Sequence, residues 1–292
     1  MRYNVTHTTH YAYESDVSVA FLTLRLQPRE LPWQRCLAHH VESAPAPAMS
    51  SWHLDYHGNQ CVRLDLYSPH SEFEVTARSQ VELTPRDLPD AAATPPWEEV
   101  VHRCGSHLLT ADSATGEFVF DSAHIIRRPE YADYAATSFT PGRPLMEALR
   151  DFTARMFKDF TFDPRATTVA TPVAEVFKHR RGVCQDFAHL AIACLRSLGL
   201  PSRYVSGYLE TLPPPGRARL IGADASHAWI SAWCPGFGWI DADPTNNLLP
   251  GPRHITVGWG HDFADISPVR GVLVGGGAHT LNVSVDVEPL GE

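Results

Sequence analysis

The sequence predicts an α+β protein: a β-sandwich-like N-terminal domain, then a core in which one buried helix packs on an antiparallel sheet. Three observations carry this. Residues 1–85 hold alternating or β-branched-rich segments and sustain no helical period. A stretch rich in Pro, Ala and Asp follows, from Pro85 to Pro96, and it can form neither a continuous helix nor a central strand. Beyond it come helical patterns, one of them strongly apolar, and then a series of strand-length segments. The chain therefore divides into a β domain over 1–85, a linker over 86–98 and a core over 99–292.

Within the first domain, Tyr3 to His7, Val17 to Phe21, Val62 to Leu66 and Phe73 to Ala77 read as strands. His57-Gly58-Asn59 supplies a turn. In the core, Pro144 opens a helix whose apolar spacing continues to Phe157, and a shorter helix covers Pro172 to Lys178. A third runs from Cys184 to Leu198, with Gly182 breaking the chain before it and Gly199 and Pro201 stopping it. It is apolar around most of its circumference, so it belongs under a sheet. Strands over Ser202 to Leu209, His227 to Trp233 and Gly238 to Asp243 come next. The tight Cys234-Pro235-Gly236-Phe237-Gly238 connection makes the last two an antiparallel hairpin. Gly275-Gly276-Gly277 lacks the strand–helix context of a phosphate loop and reads as a turn before a final strand, Leu281 to Val287.

A chain of 292 residues suggests about two domains, and 43% hydrophobic with 20% charged residues is ordinary globular composition. The net charge of −9 argues against a nucleic-acid surface, which needs clustered Lys and Arg. No apolar run is long enough to span a bilayer, and no membrane partner is expected. The first residues show no apolar leader, which points to the cytoplasm. Six cysteines (Cys36, Cys61, Cys104, Cys184, Cys194, Cys234) form no CxxC pair, so free thiols are the expectation. Sixteen histidines show no HExxH or comparable spacing, and neither metal nor cofactor is expected.

Position separates Cys184 from the other thiols. It lies in the first turn of the apolar helix, where unpaired N–H groups and the helix dipole favour an anion and can hold a developing oxyanion. Cys194, in mid-helix, is a core residue by the same argument. His227 shares a strand face with Trp229 and Trp233, and Asp241 and Asp243 share the facing one with Trp239. Pairing Trp233 with Trp239 sets Trp229 opposite Asp243, with His227 diagonally beside it. A two-residue shift would pair His227 with Asp243 directly. Either register brings the imidazole and the Asp243 carboxylate within reach. Asp241 lies farther away and reads as a solvated strand residue, while Asp186 complements the helix N-terminus. The candidate catalytic set is therefore Cys184 as nucleophile, His227 as base and Asp243 as the carboxylate that orients the base.

Three ordered motifs carry a resemblance: Arg181-Gly182-Val183-Cys184-Gln185-Asp186-Phe187, Asp224-Ala225-Ser226-His227-Ala228-Trp229 and Gly238-Trp239-Ile240-Asp241-Ala242-Asp243-Pro244-Thr245. Together they resemble the core of the transglutaminase-like superfamily, whose catalytic signature runs Cys, His-Ala-Trp, Asp-Pro-Thr. Residues 1–85, with Leu26-Gln27-Pro28-Arg29 and Gly58-Asn59, are similar to the N-terminal β domain of its bacterial members. The segment Gly260-His261-Asp262-Phe263 is also similar, with His261 and Phe263 standing where Arg and Tyr are expected. The resemblance implies a papain-like α+β core without a metal requirement. It also implies acyl transfer at peptide or carboxamide bonds through a thioester.

Bacterial members are often described as cysteine proteases, and an open site hydrolyses a thioester, so protease or amidase action on a peptide or protein is favoured. Protein-glutamine transamidation, or a non-catalytic binding role on the same fold, are the alternatives. A metal hydrolase using His189 and His227 lacks ligand spacing. For a second oxyanion donor, Thr171, Gln185 and Phe162 remain open, and Trp229 is expected to shield the His–Asp pair.

Overall fold

A computed structural model of the chain describes residues 1–106, 113–211 and 226–291. Asp224 and Ala225, at the head of the histidine motif, lie outside them. The N-terminal strands are β1 (Arg2–Leu24), β2 (Gln34–Ala44), β3 (Met49–Leu54), β4 (Gln60–Leu66) and β5 (His70–Leu83). The helical part comprises α1 (Trp97–Ser106), α2 (Ser113–Gly116), α3 (Pro129–Ala136) and α4 (Leu145–Asp159). The short β6 (Thr161–Phe162), α5 (Val173–His179) and β7 (Arg181–Gly182) lead into α6 (Cys184–Ser197). Then come β8 (Ser202–Leu209), β9 (Ser226–Cys234), β10 (Gly238–Ala242), β11 (His254–Gly260), α7 (Phe263–Ile266), β12 (Val269–Gly275) and β13 (His279–Leu290).

The two β-runs read near the N-terminus belong to one 23-residue strand. Its register on β5 shifts between Ala12 and Val17, and there the sheet curls. Its first half pairs with β5 and β13, and its second half with β4 and β12. Residues 269–290, grouped on the sequence with the 99–292 core, thus run as strands of the N-terminal sheet. Val17, Leu22, Leu24, Leu64, Leu66 and Phe73 form the apolar cluster of the curled half.

In the core, an antiparallel sheet of order β10-β9-β8-β11 carries α6 packed against β8 and β9. Every residue of α6 from Asp186 to Arg196 is buried, as the apolar circumference required. Arg196 is buried in its last turn because its guanidinium donates to the carbonyls of Ser202, Phe120 and His261. A separate apolar cluster, with Tyr208, Ile255 and Val257 against Tyr3, Val5, Val81 and Leu83, joins this sheet to the N-terminal one.

The edge strand β11 was not anticipated, because its short alternation is interrupted by a register shift between Thr256 and Gly258. Side-chain amides of the N-terminal domain cover its outer edge. Gln34 donates to the Thr256 carbonyl and accepts from the Thr256 N–H, at 2.7 and 2.8 Å. Asn59 does the same for Trp259, at 2.8 and 3.0 Å. The first domain thereby occupies hydrogen-bonding groups that another strand would otherwise seek. Among the described residues no helix is long and apolar enough to cross a membrane.

Candidate functional site

Cys184 opens α6 and is half-buried. The Asp186 carboxylate closes this helix end, accepting from the Val183 N–H at 2.8 Å and the Thr167 hydroxyl at 2.6 Å. Burial raises the Asp186 pKa, opposed by those two hydrogen bonds. Gly182 permits the arrangement, since a Cβ there would stand 2.6 Å from Asp186 Oδ2. The helix-end reading of Asp186 therefore holds.

The hairpin adopts the first of the two registers considered, with Trp239 opposite Trp233. His227, diagonally placed, donates through Nε2 to Asp243 Oδ2 at 2.7 Å. Asp243 is fully buried, and its other oxygen accepts from the N–H groups of Thr245 and Asn246, at 3.0 and 3.3 Å. The Asn246 amide also donates to Asp243 Oδ2 at 2.7 Å. With Nε2 so engaged, Nδ1 is the ring nitrogen left for Cys184, whose side chain is near enough to act on the His227 charge. Burial alone would lower the His227 pKa. Hydrogen bonds to Asp243 and Cys184, with their charges, outweigh it and push the value up to about 10. For Asp243 burial would favour the neutral acid, but the donors from His227, His254 and Asn246 hold the carboxyl well below its usual range.

Trp229 packs beside this pair as expected, its ring 6.0 Å from that of His227. Gly207, directly across from His227 on β8, makes room for it: a Cβ there would lie 2.6 Å from the Trp229 ring and 2.0 Å from the Ile255 carbonyl oxygen. Sequence reasoning missed His254. Its Nε2 lies 3.3 Å from Asp243 Oδ2, its ring stands edge-on to Trp229, and its Nδ1 is buried without a partner. The signal was the alternation His254-Ile255-Thr256-Val257, visible only once that stretch is read as a strand.

Asp241 departs from the solvated reading. It is 8% exposed and pairs at 2.7 Å with Arg86 of the linker, whose guanidinium also stacks on Trp33. Burial without a charged partner would be costly, and the linker supplies the partner. Cys194 is fully buried and its thiol is pushed well up by that burial. Among the suggested oxyanion donors, Gln185 donates to the Val169 carbonyl, Thr171 bonds Thr168, and Phe162 is exposed. His189 accepts from the Phe263 N–H and stacks on His124. Among the described residues, the metal-type group containing His227 is completed by Asp243 and His254, not by His189. His261 meets Asp265 through Nδ1 at 2.9 Å.

Residues 3–82 match the model of the bacterial transglutaminase-like N-terminal region, and residues 133–244 match that of the transglutaminase-like superfamily. An uncharacterized protein of Mycobacterium tuberculosis is 44% identical over 300 residues, 99% of this chain and 93% of that one. The chain belongs to the transglutaminase-like superfamily. An uncharacterized protein of Mycobacterium leprae is 34% identical over 303 residues, 99% of both chains. A Pseudomonas aeruginosa protein-glutamine gamma-glutamyltransferase is 32% identical over 105 residues, 33% of this chain and 16% of that one. Among solved structures, a Cytophaga hutchinsonii protein proposed as a cysteine protease superposes with a TM-score of 0.78 at 21% identity. The match covers 100% of this chain and 91% of that one, and it establishes the shared fold.

Proposed function

We propose that this transglutaminase-like protein is a cysteine-dependent enzyme acting on amide bonds of a peptide or protein through a Cys184 thioester. The observation that carries the reading is the buried His227–Asp243 pair, bonded at 2.7 Å, with the Cys184 side chain near enough to raise the His227 pKa as well. In the acylation step the Cys184 thiol gives its proton to His227 and the sulfur attacks the amide carbon, and the oxyanion forms beside the N–H groups at the start of α6. His227 passes its proton to the leaving amine as the C–N bond breaks, and Asp243 keeps its Nδ1 directed at the reacting atoms. A water then attacks the thioester, His227 takes its proton, and the sulfur leaves.

We assign hydrolysis to the second step because the half-buried Cys184 leaves the thioester within reach of water. The similarity of one third of the chain to a gamma-glutamyltransferase favours the second reading, in which an amine replaces that water. Intact-mass analysis after incubation with a library of peptide amides tests both. An adduct on Cys184 that decays unaided supports hydrolysis, and one that decays only with added amine supports transfer. Iodoacetamide should label Cys184 far faster than Cys194, and Cys184→Ala should abolish turnover. Equal labelling, or turnover by the Ala variant, refutes the assignment.

A further inference from the structure

We propose that His57, His261 and Asp265 form a binding site for one divalent transition-metal ion, zinc fitting best, which ties the N-terminal domain to the core. The three residues come from separate parts of the chain. His57 lies in the β3–β4 turn, His261 in the β11–α7 connection and Asp265 on α7. They nevertheless bring one ligand atom each to within 4.8 Å of the others. Asp265 Oδ2 is 3.3 Å from His57 Nε2 and 2.9 Å from His261 Nδ1. Zinc bonds of about 2.0–2.1 Å in tetrahedral arrangement set ligand atoms about 3.3 Å apart, close to both distances from Asp265 Oδ2 to the imidazoles.

The surroundings of the ligands carry the assignment further. A ligating imidazole ordinarily turns its other nitrogen towards a carboxylate, which fixes its tautomer. The other nitrogen of His261, Nε2, faces Glu117 Oε2 at 3.9 Å, and the Tyr56 hydroxyl holds that oxygen at 2.9 Å. Phe118 stacks on the His261 ring at 4.8 Å and leans on that of His57 at 5.7 Å, restricting both. The His57 side chain is 9% exposed, whereas those of His261 and Asp265 are 25% and 36% exposed. Two imidazoles and one carboxylate suit zinc, and the open side leaves the fourth position to water. The site lies outside the Cys184–His227–Asp243 relay and does not depend on its role.

Zinc binding to the untagged Cys184→Ala protein tests this, since that background removes a competing thiol. One zinc per chain at micromolar concentration and a thermal midpoint raised by several degrees are expected. His57→Gln and His261→Gln should each abolish that binding, while Glu117→Gln should weaken it about tenfold. Sub-stoichiometric zinc, or binding unchanged in both histidine variants, overturns the proposal. Zinc protection of His57 and His261 from diethyl pyrocarbonate, read by peptide mass spectrometry, needs neither histidine variant. Equal modification with and without zinc also overturns it.

Discussion

Replacing Asp243 by Asn keeps the side-chain volume and removes the charge. The carboxylate accepts three side-chain donors on Oδ2, from His227, His254 and Asn246, and two backbone N–H groups on Oδ1. An amide has one acceptor oxygen, so it can serve one of these sets while its NH2 faces the other. At least two buried donors lose their partner, at about 1–3 kcal/mol each, and the imidazolium loses its counter-charge. Breaking a buried pair in this way costs about 3–5 kcal/mol.

The pH dependence has a definite sign. His227 is raised on folding from 6.5 to about 10, so its contribution is complete below pH 6.5 and drains as pH rises to 10. Asp243 is depressed from 3.8, so its contribution is complete above about pH 4 and lost in acid. The stability gap between wild type and Asp243→Asn is therefore widest from about pH 4 to 6.5 and closes towards pH 10. Turnover should fall about 10³–10⁴-fold: with the amide oxygen on the two backbone N–H groups, the NH2 faces Nε2, which then accepts and leaves the proton on Nδ1. Urea denaturation at pH 5.5, 7.5 and 9.5 reads the gap. A gap under about 1 kcal/mol at pH 5.5, or one that widens with pH, refutes the reasoning.

Gly207→Ala places a methyl against the Ile255 carbonyl and Trp229, and should cost about 3 kcal/mol together with activity; an unmoved urea midpoint contradicts this. Gln34→Ala leaves the buried Thr256 N–H without its acceptor, while the Thr256 carbonyl keeps the Arg29 N–H, for a loss of about 1–3 kcal/mol read by the same denaturation. Arg86→Ala removes the ion-pair partner of the buried Asp241 carboxylate, whose charge Arg203 still offsets in part, at a cost of about 1–3 kcal/mol. Adding Asp241→Asn should recover most of that loss, and a double-mutant cycle without coupling denies the pairing.

Legibility followed the range of the physics. α6 was readable because its apolar circumference and its Gly182 and Gly199 boundaries are local signals, and the structure ends it within a residue of the sequence reading. The β9–β10 register was readable to within two alternatives, because a tight turn leaves few ways to align Trp233, Trp239, His227 and Asp243. β11 escaped, and with it His254, whose place on Asp243 depends on strand order. Asp241 could not be told from a solvated residue, because Arg86 stands 155 positions away in sequence.

By itself, the amino-acid sequence determined the α+β class, the helix that presents Cys184, and the pairing of His227 with Asp243. Each rests on periodicity, chain breakers or a short turn, which act over a few residues. Tertiary structure alone decided that β12 and β13 return to the N-terminal sheet, and that Gln34 and Asn59 cover the edge of β11. It also brought His254 to Asp243, and His57 to His261 and Asp265. These are side-chain and edge-strand pairings between remote segments, made by the packing of one sheet on another, and no local pattern encodes them.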